Sequence, residues 1–247
     1  MFHFKTRPLY LTLILIMWPY LFFFTGCKKS PVNDNNVKEP EFLVPLDVGN
    51  SWTYIQYSYS GPGGEIIEGL TDSFRVEITE KMIVNYEGES YDAAVQSIFY
   101  PVWNQEPDII KWLYWNGENG LYLLGGISQT DMLIKKILYF NYPVEVGEEW
   151  MYPRPVFDML NLEFFIYDTL TITCVGKNEP FETRAGTFKC YVYKYTRISS
   201  DDAVFIWDYY FYYAPGIGYV GSIIRDEIAH EIKYKQILIK YNILSGN

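Results

Sequence analysis

The chain has 247 residues, 49% of them hydrophobic and 19% aromatic, with 24 tyrosines and a formal net charge of −10. That length and apolar fraction can fill the core of one large or two small domains, and the acidic balance disfavours nucleic acid and anionic head groups as partners. Aromatic and β-branched residues at this density suit pleated, half-buried surfaces, so composition points to an all-β protein.

Taken in chain order, the first element is a leader. Lys5 and Arg7 precede an uncharged run over residues 9–24, and the small residues Thr25 and Gly26 follow. This is the layout of an export signal. The sixteen residues of the run, interrupted by Pro19, fall short of the ~20 that a membrane-crossing helix needs. The run ends in Phe24-Thr25-Gly26-Cys27, which resembles the lipobox of bacterial lipoproteins, with phenylalanine where leucine is usual. The resemblance implies cleavage before Cys27 and acylation of that residue, so that the membrane becomes a partner through an N-terminal acyl anchor. Lys28 follows Cys27, and in the lipoproteins this resembles a non-acidic residue there implies delivery to the outer membrane of the bacterial cell envelope. Residues 27–41, polar and rich in Pro, Asn and Asp, read as a flexible tether. Loss of residues 1–26 removes Lys5 and Arg7, leaving 18 basic against 30 acidic side chains, a net charge of −12.

Beyond the tether the chain repeats itself. Pro45, Val48, Gly49, Trp52 and Tyr54 recur 98 residues later as Pro143, Val146, Gly147, Trp150 and Tyr152. The same offset pairs Gly88 with Gly186, Tyr114 with Tyr212 and Gly120 with Gly218, so the register holds without a gap. We therefore expect two copies of one β unit, 42–142 and 143–247, packed as one body. Gly and Pro punctuate aromatic runs in both. The first copy predicts strands over 52–59, 73–84, 90–100, 109–115 and 121–124. The second predicts them over 150–152, 163–175, 188–198, 204–213 and 219–224. A last strand is expected over 228–244, where the apolar phase shifts and implies a bulge near Lys235 and Gln236. Residues 131–140 fit a helix face as well as a strand, because Leu133, Ile134, Ile137 and Leu138 are spaced for either. The fold class expected is an antiparallel meander with an internal duplication, a half-open barrel or curved sheet with little helix.

Trp52 and Tyr54, like Trp150 and Tyr152, are two residues apart and share one face of a strand. The simplest expectation for these rings is core packing; the sharper one is that Trp52, Tyr54, Trp112, Tyr114, Trp150, Tyr152 and Tyr212 line a cavity. Cys174 and Cys190 lie in neighbouring strand-like segments of a chain bound for an oxidising compartment, and are a candidate disulfide.

Catalytic chemistry is absent from the pattern. Gly216-Ile217-Gly218-Tyr219-Val220-Gly221 spells a dinucleotide fingerprint, but a strand rather than a helix should follow it, so the glycines read as turn residues. The one histidine after the leader, His230, would face away from Glu227 and Glu231 on a strand. No metal site, cofactor or nucleophile–base pair is expected, and the carboxylate pairs Asp201-Asp202 and Glu148-Glu149 read as solvated turn charges.

Three phrases in the second copy, "YPVEVGEEWMY", "RAGTFKCYVYKY" and "YYAPGIGYVG", resemble a family of bacterial envelope lipoproteins with a P-L-x-x-G-x-x-W-x-Y opening, an A-G-T-F phrase and a P-G-x-G turn. The first copy matches poorly, having Glu87-Gly88-Glu89-Ser90 in place of A-G-T-F. The family is distantly similar to the half-open β-barrel lipoprotein carriers, which implies a concave apolar sheet that holds acyl chains. The functions this leaves are a non-catalytic lipoprotein binding a hydrophobic or amphipathic molecule, an assembly lipoprotein that meets an envelope protein partner, and a glycan-binding surface module.

Overall fold

Strand follows strand through turns of a few residues in all that is described of the chain. The structure is a computed structural model and describes residues 40–60, 65–67, 72–99, 110–128, 131–158, 163–198 and 206–244. The leader, Cys27 and all of the tether before Pro40 lie outside the described residues. The first copy supplies β1 (Ser51–Ser60), β2 (Glu65–Ile66), β3 (Asp72–Tyr86), β4 (Glu89–Phe99), β5 (Ile110–Gly117), β6 (Gly120–Ser128) and β7 (Met132–Asn141). The second supplies β8 (Glu149–Asp158), β9 (Glu163–Thr183), β10 (Gly186–Ile198), β11 (Ile206–Ala214), β12 (Gly218–Asp226) and β13 (Glu231–Asn242). No helix occurs among the described residues.

The offset of 98 carries β1 onto β8 and β6 onto β12 residue for residue. It also repeats the opening turn. Gly49 N–H donates to Ile78 O and Gly147 N–H to Cys174 O, both at 2.8 Å, with φ of 92° and 95° at the two glycines. A side chain at either position would be strained at such angles, which is why glycine recurs there.

All strands but β2 form one antiparallel path in the order β7-β6-β5-β4-β3-β1-β13-β12-β11-β10-β9-β8, with β2 paired only to β1. The two copies are thus one sheet, joined where β1 pairs β13 from Ser51 opposite Asn242 to Ser58 opposite Tyr234. The sheet rolls into a nearly closed barrel whose end strands, β7 and β8, face each other across an unsealed seam. By the repeat, β8 should pair β7 as β1 pairs β13. Pro153 and Pro155 stand where β1 has Ile55 and Tyr57, two positions that do pair with β13. Residues two apart point their N–H groups to the same edge of a strand, and proline has none, so this edge of β8 lacks two ladder donors. Side chains bridge the seam instead. Trp150 Nε1 donates to Tyr139 O (3.1 Å), Tyr193 O–H to Asn141 O (2.9 Å) and Phe164 N–H to Asp131 Oδ2 (2.9 Å).

The main hydrophobic cluster draws on both copies, and Tyr54, Phe140, Tyr191 and Tyr193 are among its largest fully buried side chains. A smaller cluster of Val84, Tyr91, Ala93, Val95, Leu113 and Leu124 belongs to the first copy alone. Fully burying each such ring contributes roughly 1.5–3 kcal/mol, so burial of aromatics is the principal drive for closing the sheet.

One ambiguity is resolved and one expectation is corrected. Residues 132–141 are strand β7, because their backbone pairs with β6 from Gly120 opposite Asn141 to Ile127 opposite Met132. The final strand is shorter than expected, and Lys235 and Gln236 pair regularly with Tyr57 and Gln56. Its irregularities lie at Lys233, skipped against β12, and Ile239, skipped against β1. Residues before it form a turn in which the Asp226 carboxylate accepts from the N–H groups of Ile228 and Ala229, at 3.0 Å each.

Candidate functional site

Between the strands of the first copy and β11–β13 lies a cavity of about 260 Å³. Its position follows from a difference between the copies. Against β10 and β11 of the second copy, large rings fill the interior. Phe140, fully buried, meets Tyr193 at 4.8 Å and Tyr213 at 4.5 Å between ring centroids. In the first copy β4 presents Ala94 and Gln96 instead, and the space stays open.

Trp52 and Tyr54 of β1, Phe74 and Val76 of β3, and Trp112 and Tyr114 of β5 form one wall. Gln96 and Ile98 continue it on β4, and Leu121 and Tyr139 on β6 and β7. The second copy adds Phe211, Tyr213, Tyr219 and Gln236. Val44 and Leu46 reach the cavity from the segment before β1. That segment crosses the end of the barrel at which β5 turns into β6 and β11 into β12. It is held there by Gly216 N–H donating to Phe42 O (3.0 Å), Asn116 Nδ2 to Val44 O (2.8 Å) and Tyr142 O–H to Pro40 O (2.8 Å).

Several lining groups are fixed by hydrogen bonds. Trp52 Nε1 donates to Ile217 O (2.7 Å) and Tyr54 O–H to Tyr219 O (2.9 Å). Tyr219 O–H donates to Gln236 Oε1 (2.7 Å), whose Nε2 donates to Gln56 Oε1 (2.6 Å). Tyr54 also stacks on Phe74 at 5.2 Å, and Tyr114 on Tyr139 at 6.1 Å. None of the described residues lining the cavity is charged. Burial pushes the phenols of Tyr54, Tyr114, Tyr139 and Tyr213 well above their ordinary value, with neighbouring phenols adding to it. A site of this kind is hostile to ions and receptive to rings and short chains.

Of the rings proposed from sequence, Trp52, Tyr54, Trp112 and Tyr114 line the cavity; Trp150, Tyr152 and Tyr212 do not. Trp150 and Tyr152 pack at the seam, where Tyr152 meets Tyr139 at 5.0 Å and Trp150 meets Tyr193 at 5.7 Å. Tyr212 is stacked on Phe181 at 4.0 Å, while its neighbour Tyr213 lines the cavity. The ladder between β11 and β12 shifts at Tyr212/Tyr213, and a slip of one residue sends a side chain to the other face of the sheet. Tyr139, Tyr213, Tyr219, Gln96 and Gln236 were missed. Alternation outward from Trp112 and Tyr114 marks a face within one strand, but across bulges it loses phase.

The disulfide expected between Cys174 and Cys190 is not formed, and both are free, buried thiols. The register sets Cys174 opposite Tyr193 and Cys190 opposite Glu179. Three residues thus separate them along the ladder, roughly 10 Å, beyond the ~7 Å that a disulfide spans between Cα atoms. Burial pushes the Cys190 thiol up to about 12 and raises that of Cys174.

Gly216 and Gly218, with φ of 75° and 98°, form the turn between β11 and β12; the spelling that suggested a nucleotide loop leads into a strand. Outside the cavity, Asp208 is fully buried at 2.5 Å from both Lys194 Nζ and Thr196 Oγ1. Burial alone would raise its carboxyl, but hydrogen bonds from Glu227, Lys194 and Thr196 outweigh it and leave Asp208 below the usual range. Glu227, bonded to Asp208 and repelled by its charge, is raised. The pair staples β10, β11 and the turn after β12.

The chain is similar in fold to two solved structures. One is a Bacteroides fragilis protein named for export and for a YmcC-like fold, at 15% identity over 83% of this chain and 100% of that one, with a TM-score of 0.49. The other is a Parabacteroides distasonis protein named as a lipoprotein, at 16% identity over 83% and 100%, with a TM-score of 0.46. No family model matches the chain, and no curated protein does.

Proposed function

We propose that the protein is an outer-membrane lipoprotein of the bacterial cell envelope, acylated at Cys27, whose barrel binds a small hydrophobic or amphipathic molecule without catalysis. The cavity is the observation that supports binding. A 150 Å³ apolar cavity accepts benzene, so about 260 Å³ has room for roughly ten carbons. That suits one ring system or one short acyl segment and is too small for several acyl chains, so the carriage of whole lipids implied by the family resemblance is not part of the proposal.

Two experiments test the reading. Cys27→Ser should abolish labelling by radioactive palmitate and leave the leader uncleaved; continued labelling would remove the anchor. Organic extraction of the purified mature domain should release a small compound that is absent from a Val76→Phe variant, in which the new ring occupies the space. If nothing is released and neither n-decanol nor naphthalene raises the melting temperature, binding is refuted. The filled interior of the second copy favours the alternative of an assembly lipoprotein without a small ligand, which that refutation would leave standing.

A further inference from the structure

We infer that the cavity takes an uncharged ligand: a ring or short chain of about ten non-hydrogen atoms whose hydroxyl, ether or carbonyl groups bond to Tyr114, Tyr139, Tyr213 and Gln96. The inference rests on the binding function proposed above and adds the polarity of the ligand. It begins with four polar groups. Tyr54 and Tyr219 spend their hydroxyls on protein acceptors, Tyr219 O and Gln236 Oε1. Among the described residues, nothing hydrogen-bonds to the hydroxyls of Tyr114, Tyr139 or Tyr213, or to the Gln96 amide, although all four residues line the cavity. They share one cavity about 260 Å³ in volume, in which the rings of Tyr114 and Tyr139 stack at 6.1 Å.

A hydrocarbon ligand would bury these groups without partners, and unpaired polar groups are expensive to desolvate. An ionised ligand fares worse. The described lining offers no cation to a carboxylate and no anion to an ammonium, and a buried unpaired charge costs more than any ring contact returns. The chain's net charge of −10 repels anions before they arrive. What satisfies both the rings and the hydroxyls is a neutral molecule with an apolar body and oxygen or amide groups. Tyrosine supplies donor and acceptor from one hydroxyl, so a ligand bearing either is accommodated.

The test uses three probes of similar shape, titrated calorimetrically at pH 7 into the mature domain. They are trans-cinnamamide, its isosteric anion trans-cinnamate, and the apolar trans-β-methylstyrene. Cinnamamide should bind at least tenfold more tightly than cinnamate. In the variant Tyr114→Phe/Tyr139→Phe/Tyr213→Phe it should weaken about tenfold, while β-methylstyrene stays within twofold. The variant should melt no lower than the wild-type protein, because its lost hydroxyls have no protein partner, and this separates lost recognition from lost folding. Equal binding of cinnamate and cinnamamide, an unchanged affinity in the triple variant, or β-methylstyrene binding as well as cinnamamide would each overturn the inference while leaving the cavity as a binding site. If none of the three binds the wild-type protein, the binding function itself falls.

Discussion

Replacing Phe140 by alanine tests how the unsealed seam is held. Phe140 lies on β7, the edge strand that has no ladder to β8, and its ring is fully buried. It touches Tyr139 on its own strand at 4.2 Å, and across the barrel Tyr193, Tyr213 and Phe211 at 4.8, 4.5 and 6.0 Å. Truncating a buried phenylalanine costs about 3–5 kcal/mol, from lost transfer energy and from the void left behind. The walls here belong to strands paired on both sides, β10 and β11, which cannot collapse inward, so the upper half of that range applies. For a domain of this size each kcal/mol lowers the melting temperature by about 2–4 °C, giving a fall of roughly 8–20 °C. Trp112→Ala is the control. Its side chain already borders the cavity and is half-buried, so the loss should be about 1–2 kcal/mol. Urea titration followed by circular dichroism measures both. If Phe140→Ala loses less than Trp112→Ala, the ring does not clamp the seam, and the account of how β7 is held is wrong.

Four further outcomes follow from the same geometry. Backbone amides of β7 and β8 that face the seam should exchange with deuterium at least tenfold faster than those pairing β1 with β13, and equal protection would show that the seam is sealed in solution. Asp208→Asn should destabilise the protein by about 2 kcal/mol at pH 7, since it unpairs Lys194, which keeps 29% of its surface in solvent and so feels a screened charge. The lowered Asp208 carboxyl contributes stability that is full above the ordinary aspartate value of about 3.9 and is lost as pH falls through the native one, so the variant's deficit should vanish in acid. Glu227 is raised and contributes with the opposite sign: present below its ordinary value of about 4.3, lost as pH rises through the native one. Glu227→Gln should therefore be at least as stable as wild type at pH 7, with the advantage gone near pH 4; a deficit at pH 7 would show that attraction to Lys194 outweighs repulsion by Asp208 at Glu227. Finally, neither Cys174 nor Cys190 should react with a thiol reagent in the folded protein, and both should react in denaturant without reductant, whereas two thiols appearing only after reduction would establish a disulfide.

The sequence by itself determined the class and the plan of this protein. Aromatic and β-branched runs broken by glycine and proline are local signals, and they set strands close to where they are found. The offset of 98 is likewise written in residues, because each copy needs the same glycine conformation at Gly49 and Gly147. Tertiary structure decided what depends on partners. Residues 131–140 were compatible with helix or strand until β6 supplied a ladder for them. Trp112 and Tyr114 line the cavity but Tyr212 does not, since a register shift is a property of two strands pairing and one residue of slip reverses every face beyond it. The hairpin register of β9 and β10, which sets Cys174 opposite Tyr193, keeps Cys174 and Cys190 apart. The seam was partly written in Pro153 and Pro155, yet their effect appears only where the repeat calls for a pairing that those residues cannot make. The cavity was the least legible feature, because it is a difference in packing volume between Ala94 and Gln96 in one copy and Phe140 and Tyr193 facing the other, and empty space has no residue of its own.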